Sequence, residues 1–390
     1  MRYDMLNCSR LMDNDEEYIK NVTKNRLVYE ETNLKMDCKS INSRGFTMTH
    51  DELSDIEKRY SLAYANNVYR NYEIIEMKLL MNYSPNNHYC YMVDKKSPNL
   101  LKKMLKLEKC LPNVYVSEKQ YSMESNGINT NLGHYECMKI LVDIKWDYLF
   151  ILQNDDIAIK TNKEILEILE VMNFPIDVAL VDPSPFIKNR VNQKISWKYR
   201  DLNIFLPDDR RLNDPKILDL EVVFQKGLVP SGFPYQTVYD LVYKLNITKF
   251  LLQLNTNRYG HDELGFQTLV TDDILNVTNY IPRSCINKYY PRSSYLSRKV
   301  IWYNGNCPSK MFYHIICVWG VEMLNQIPSY GEFFGYRFID NKDYGALRCW
   351  IEYIYNKNKD NTDLWYYYNL PQSNLQRLRK THSIKELCEV

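Results

Sequence analysis

Apolar and polar positions along this chain fall into two alternating rhythms from about residue 59 onward. "YSLAYANNVY" (60–69) reads as a strand, and "YEIIEMKLLMN" (72–82) as a helix with apolar positions at i, i+3 and i+4. "HYCYMVD" (88–94) is a strand, and "SPNLLKKMLKLEKC" (97–110) a helix with Ser97 at its cap and Pro98 in its first turn. Strand "NVYVSE" (113–118), helix "LGHYECMKILVDI" (132–144) and strand "DYLFILQ" (147–153) continue the alternation. "TNKEILEILEVMN" (161–173) opens with Thr161 and carries Glu164 three residues on, the spacing of a capping box. "DVALVD" (177–182) reads as a further strand.

Strand and helix in regular succession predict an α/β layer fold with a mainly parallel sheet. Such a sheet binds its ligand beyond the carboxyl ends of its strands. Asp94, Asp155, Asp156 and Asp182 stand at strand ends and would crowd that edge. No Gly-x-Gly-x-x-Gly or Walker loop occurs, which argues against dinucleotide and P-loop chemistry. Residues before 59 are polar and irregular, with one helix expected around Asp13–Lys24, and the region after 200 is mixed.

Composition narrows the class. The 390 residues are 45% hydrophobic, enough for one large core, and 50 basic against 48 acidic residues leave a net charge of only +2. No strong bulk field draws the chain to nucleic acid or to a membrane surface. No apolar run approaches the roughly 18 residues of a membrane helix, and the first residues have no signal-peptide core. Ten cysteines, mostly single, argue against zinc ribbons and thioredoxin chemistry. Together with the sequons at Asn7, Asn21, Asn82, Asn246 and Asn276 they favour an oxidising, lumenal or extracellular compartment. An N-terminal leader or membrane anchor is therefore expected in the full-length protein, outside this sequence.

One stretch carries candidate chemistry. In "NRYGHDELGFQTLVTDD" (257–273) the acids Asp262 and Glu263 follow a glycine and precede an apolar run. Acids in a first helical turn complement the macrodipole, and aspartate caps helices well. A carboxylate there could equally serve as a general base. In "QNDDIAI", the adjacent acids Asp155–Asp156 could be taken for a metal site.

Taken in order, "YCYMVDKKS" (89–97), "CLPNVYVSEK" (110–119), "HYECMKIL" (134–141), "WDYLFILQNDDIAIKTNKEI" (146–165), "LNTNRYGHDE" (254–263) and "HIICVWGVEML" (314–324) resemble the core-2/I-branching β1,6-N-acetylglucosaminyltransferases, glycosyltransferase family 14. The resemblance runs from about Asn7 to Trp350 and is strongest toward divergent invertebrate members. It implies a GT-A-like nucleotide-sugar fold as a single large domain, with a stem at 1–58, the transferase domain at 59–350 and a C-terminal extension at 351–390. It also implies UDP-N-acetylglucosamine as donor substrate, inversion at the anomeric carbon, no cofactor and no divalent metal. The location it implies is the Golgi lumen, reached as a type II membrane protein.

Residue by residue, the resemblance makes Glu263 the catalytic base and leaves Asp262 the cap. Asp94 falls in the nucleotide pocket, where a carboxylate accepts hydrogen bonds from ribose or uracil. "NNVY" (66–69) departs there from a valine-rich family segment. Two basic groups replace the metal at the diphosphate: Arg337 in "FFGYRF", and His314 in "MFYHIIC", where the family usually has arginine. Lys188 and Arg190 match acceptor-contacting positions, and Tyr303 matches an acceptor aromatic whose ring can stack on a sugar face. The family's acceptor-reading glutamate has no counterpart, its position lying near Val178. The implied disulfides are Cys8–Cys349, Cys38–Cys110, Cys90–Cys137 and Cys307–Cys317, with Cys285 and Cys388 unassigned.

The reading that follows is an inverting β1,6-N-acetylglucosaminyltransferase with a UDP-sugar donor and a galactose- or GalNAc-containing glycan acceptor, as in O-glycan branching, and with no nucleic-acid partner. Two rivals stay open: a xylosyltransferase-like donor choice in the same family, and a catalytically silent glycan-binding protein, motivated by His314 and Val178.

Overall fold

The computed structural model describes residues 6–255, 259–357 and 362–388. Thr256 to Arg258, inside the "LNTNRYGHDE" motif, lie outside the described residues. At the centre is a five-stranded sheet. Strands β1 (Leu62–Val68), β2 (His88–Val93), β3 (Val114–Val116) and β4 (Tyr148–Gln153) are parallel, in the spatial order β3–β2–β1–β4. The strand Ser231–Pro234 closes the β4 side, antiparallel.

Each parallel strand is an almost unbroken buried run, as expected where helices cover both faces. Successive side chains point to opposite faces, and that alternation divides the interior in two. Tyr64, Val68, Tyr89, Tyr91, Phe150 and Leu152 enter one core, packed by the helices Tyr72–Met81, Asn162–Met172 and Asp340–Asn356. Ala63, Ala65, Cys90, Met92, Leu149 and Ile151 enter the other, where the helix Thr130–Leu141 packs against β1 and β2. This is a mixed α/β domain with a mainly parallel sheet, a GT-A-like arrangement.

Local signals explain the helix ends. Thr161 and Glu164 form the capping box: the Thr161 hydroxyl accepts from the Glu164 amide at 3.2 Å, and the Glu164 carboxylate accepts from the Thr161 amide at 2.8 Å. Ser97 precedes Pro98 as expected but makes no capping bond; its hydroxyl donates to the Tyr69 carbonyl at 2.6 Å and ties the helix start to the end of β1.

Three elements differ from the sequence expectation. The segment 177–182 is not a strand: Asp177 and Val181 make single antiparallel bridges to Gly232 and Lys226. Instead of lining a ladder, the Asp177 carboxylate accepts from the backbone amides of Leu296 and Ser297 at 3.1 and 2.6 Å. The place beside β4 goes to Ser231–Pro234. The helix expected around Asp13–Lys24 is present as Glu16–Lys24, starting late because Asn14 takes a left-handed conformation and Asp15 caps it, and a further short helix, Cys8–Met12, precedes it. The polar N-terminal stretch also holds the helices Cys38–Asn42 and Asp55–Arg59, and it buries Leu11 and Ile41 completely.

Five disulfides join the described cysteines: Cys8–Cys349, Cys38–Cys110, Cys90–Cys137, Cys307–Cys317 and Cys285–Cys388. Cys8–Cys349 anchors the N-terminal helix to the helix Asp340–Asn356, and Cys285–Cys388 ties the C-terminal helix Ile384–Cys388 to the second core. Such bonds typically contribute about 2–4 kcal/mol each and fit an oxidising, secretory-pathway compartment. Among the described residues no helix is long and apolar enough to cross a membrane. The sequon residue Asn82 is buried, whereas Asn7, Asn21, Asn246 and Asn276 are exposed.

Candidate active site

The carboxyl ends of β1, β2 and β4 meet at one edge. Leaving β1, the Tyr69 amide donates to the Asn154 side chain at 3.0 Å, which joins this strand end to the turn after β4. Asp94 leaves β2 with its amide bonded to the Val68 carbonyl at 2.9 Å. Its buried carboxylate accepts from the Lys96 amide at 2.8 Å, with the Lys96 ammonium 3.8 Å away.

Asp155 and Asp156, in the turn after β4, are engaged by cations of the protein. Asp155 accepts from Arg337 at 2.8 and 3.2 Å and from Arg70 at 2.5 Å. Asp156 receives a bidentate pair of bonds from Arg298, both 2.6 Å. Beneath the turn, the Lys78 ammonium donates to the carbonyls of Asn154 and Asp156 at 2.9 and 3.1 Å. Burial pushes the Asp155 carboxyl up, but Arg70, Arg337 and Lys78 outweigh it and hold the group below its ordinary value. No group of three or more metal-ligating side chains occurs among the described residues.

Arg337 is buried, with its guanidinium 4.6 Å from the Tyr313 ring and 4.7 Å from the Tyr336 ring. Tyr313 belongs to a two-stranded hairpin, Phe312–Tyr313 with Ile316–Cys317, whose turn residues are His314 and Ile315 at φ 46° and 59°. Positive φ at both central positions is the geometry of a tight hairpin turn. His314 is therefore exposed at the tip, its ring 4.3 Å from that of Tyr313. Tyr303, also exposed, donates its amide to the Ile315 carbonyl at 2.8 Å, and Cys307–Cys317 staples the hairpin base.

Glu263 ends a single 3-10 turn, His261–Glu263, that starts at Gly260. Gly260 has φ 73°, and a Cβ there would meet the Arg190 guanidinium. The Glu263 carboxylate pairs with Arg190 and with Lys226, whose ammonium is 2.8 Å away. Arg190 also donates to the Gly260 carbonyl at 2.8 Å. Lys188 stands two residues earlier on the same helix, Ser184–Arg190, exposed; positions two apart do not share a helix face. Val178 is buried in the second core.

Asp262 does not cap. Gly260 holds the cap of the 3-10 turn, Leu264 that of the helix Gly265–Val270, and neither has a side-chain capping bond. Asp262 is instead buried against Gly127, where φ is 103° and an added Cβ would collide with the carboxylate. Burial, then the neighbouring Glu263 charge, pushes the Asp262 carboxyl up to about 7. With the folded value above the unfolded 3.8, the native state retains this proton longer, so its stabilising effect is complete below about pH 4 and is lost as pH rises to about 7. Asp262→Asn is accordingly expected to raise stability at pH 8, by up to the order of 4 kcal/mol, and to change little at pH 4. Thermal unfolding of both proteins at the two pH values checks this; an equal difference at both would exclude the titration.

Tyr259 is exposed, yet desolvation of its hydroxyl first, then the charges of Glu263 and Asp262, outweigh Arg190 and Arg337 and weaken its acidity. Tyr259 thus feels the charges of Glu263, Arg190 and Arg337 together, His314 and Tyr303 stand on and beside the hairpin that packs Tyr313 against Arg337, and Asp94 stands at the end of β2. Sequence reasoning missed Lys226, Arg70, Arg298 and Lys78, cations that no local motif distinguishes from surface charges.

Residues 62–328 match the family described as Branch, core-2/I-branching enzyme. Among curated proteins, the chain is similar to beta-1,3-galactosyl-O-glycosyl-glycoprotein beta-1,6-N-acetylglucosaminyltransferase 3 of Ovis aries, at 25% identity over 92% of this chain and 84% of that protein. The enzyme numbered 4 from Danio rerio is 24% identical over 82% of this chain and 76% of its own length. A bovine herpesvirus 4 protein named beta-1,3-galactosyl-O-glycosyl-glycoprotein beta-1,6-N-acetylglucosaminyltransferase is 25% identical over 92% and 84%.

Proposed function

The chain belongs to the core-2/I-branching enzyme family of glycosyltransferases, and from that premise we propose that it transfers N-acetylglucosamine from UDP-N-acetylglucosamine in β1,6 linkage to a galactose- or GalNAc-containing glycan. A nucleotide-sugar donor and a glycan acceptor follow from the family; the donor sugar, the linkage and the Golgi lumen as its place of work are the proposal. The names of the relatives support the first two, and the disulfides support a secretory location.

The observation that carries the mechanism is the Glu263 carboxylate at the sheet edge, oriented by Arg190 and Lys226. A carboxylate offers about four acceptor sites, so two cations leave room for an acceptor hydroxyl. In the proposed reaction that hydroxyl gives its proton to Glu263 as its oxygen attacks the anomeric carbon. The bond from that carbon to the diphosphate oxygen breaks on the opposite face, which inverts the configuration. Negative charge gathers on UDP as it leaves, and Arg337, with His314 at the hairpin tip, offsets it. Asp94 accepts hydrogen bonds from the nucleoside, while Tyr303 and Arg190, with Lys188 on the same helix, contact the acceptor. No divalent metal takes part in this scheme, in which the protein's own cations occupy Asp155 and Asp156.

The test is a panel of UDP-sugars with neutral O-glycan acceptors, each assayed with and without EDTA. Transfer is expected from UDP-N-acetylglucosamine and to be unaffected by EDTA. Preferred transfer from UDP-xylose would replace the donor, loss in EDTA with rescue by manganese would make Asp155–Asp156 a metal site, and glycan binding without transfer from any donor would favour a silent lectin-like protein.

A further inference from the structure

Beside the catalytic edge lies a second concavity of ≈430 Å³, within the range of about 300–1,000 Å³ typical of ligand sites. Its lining includes Leu228 and Trp302, next in sequence to Gly227, whose amide donates to the Glu263 carbonyl, and to Tyr303. Arg292, Arg298, Tyr330 and Tyr366 line it as well. Tyr330 and Tyr366 lie beyond the residues that match the family model.

Arg298 is committed to Asp156, and Lys299 pairs with Glu332 at 3.2 Å. Arg292 is exposed and has no ion-pair partner among the described residues, so of the three cations in the cleft's lining it is the one left unpaired there. Asp177 lies behind the wall, its carboxylate engaged by the Leu296 and Ser297 amides. Tyr366, in the lining, is 50% exposed and offers an aromatic face to the cleft's surroundings. Aromatic faces take the apolar face of a sugar ring, and a planar guanidinium fits a carboxylate with two parallel bonds.

We propose that this cleft is an acceptor subsite that binds the sugar remote from the reacting hydroxyl, and that it prefers a sugar bearing a carboxylate, read by Arg292, with the Tyr366 ring in the same lining. The inference rests on the glycosyltransferase reading, because Leu228 in the cleft's lining follows Gly227, whose amide donates to the Glu263 carbonyl. An acidic cap on the acceptor would then strengthen binding without touching donor or base.

The experiment measures direct binding to the whole chain without donor, by isothermal titration. Its probes are a neutral galactose-containing trisaccharide and two counterparts, one capped with sialic acid and one with glucuronic acid. The capped glycans are expected to bind about tenfold more tightly than the neutral one, the scale of one charge-assisted contact. Arg292→Gln should remove that ratio while leaving neutral binding unchanged, and Tyr366→Ala should weaken all three probes. A preference for only one cap identifies which acid the site reads. Equal affinities for neutral and capped glycans in the unaltered protein, or a ratio that survives Arg292→Gln, overturns the proposal. A wrong donor or linkage appears only in the transfer assay and leaves these affinities unchanged, so the two readings fail separately. Both substitutions lie at exposed positions, and unaltered thermal unfolding verifies that the fold is intact.

Discussion

Glu263→Gln is expected to lower turnover by at least about 10²-fold while UDP binding stays within a factor of two. The amide keeps the size of the side chain but has negligible basicity, so it cannot take the acceptor proton. It also turns a partner of two cations into a neutral group, leaving Arg190 and Lys226 facing each other across 263. Some loss of acceptor affinity should therefore accompany the loss of turnover. The Gly260 carbonyl still holds Arg190, and the 3-10 turn contains no bond from the Glu263 side chain, so the backbone has no reason to move. Initial rates at saturating donor, with UDP affinity from calorimetry, make the check. Normal turnover in a variant that binds UDP normally would reduce Glu263 to a first-turn acid and reassign the base.

The companion residue shows what a linear reading can and cannot supply. Cap and base both seemed assignable to one Asp-Glu pair, because the local pattern favours acids at a helix start. In the fold the cap belongs to glycine and leucine backbone, and Asp262 is buried against Gly127, more than a hundred residues upstream. Its altered acidity arises from that burial and was invisible in the local sequence. The parallel strands and their helices were legible because each is a buried apolar run of suitable length, flanked by turn residues. Ser231–Pro234 was not, since a four-residue segment with glycine and proline has little strand propensity and owes its place to β4. The opposite error at 177–182 came from an apolar run that pairs at only two isolated points, Asp177 with Gly232 and Val181 with Lys226.

The hairpin at 312–317 makes the same point about positions. "FYHIIC" contains none of the Asn-Gly or Gly-rich signals of a tight turn, and β-branched Ile315 is unfavourable at positive φ. The turn is held by non-local means: the Tyr303 amide on the Ile315 carbonyl and the Cys307–Cys317 bridge at its base. Glu263 and Arg337 could be nominated through motifs, but the groups that orient them come from elsewhere. Lys226 is 37 residues before Glu263, and Asp155 precedes Arg337 by 182.

Arg337→Ala is expected to raise the donor KM and lower kcat, with a combined loss of at least about 10²-fold in kcat/KM. The proposed role is to offset charge that grows on the diphosphate as the glycosidic bond breaks, and a preorganised cation in a site partly shielded from water acts most strongly there. The guanidinium is fixed on one side by Asp155 and lies against the rings of Tyr313 and Tyr336, so little reorientation is needed when UDP arrives. Arg337→Lys should rescue only part of the loss, since an ammonium keeps the charge but cannot bridge carboxylate and phosphate with a planar fork. Removing one member of a buried ion pair also destabilises, on the order of 3–5 kcal/mol when a charge is stranded. Here Arg70 and Lys78 remain beside Asp155, so the expected cost is smaller and the protein should still fold. Asp155→Asn supplies the control: it leaves the Arg337 charge but loosens its anchor, and should cost about tenfold in kcat/KM with a smaller change in UDP affinity than Arg337→Ala. Donor kinetics, UDP titration and thermal unfolding on the three variants separate these effects. Equal losses in all three, tracking their unfolding temperatures, would make Arg337 a structural partner of Asp155 alone.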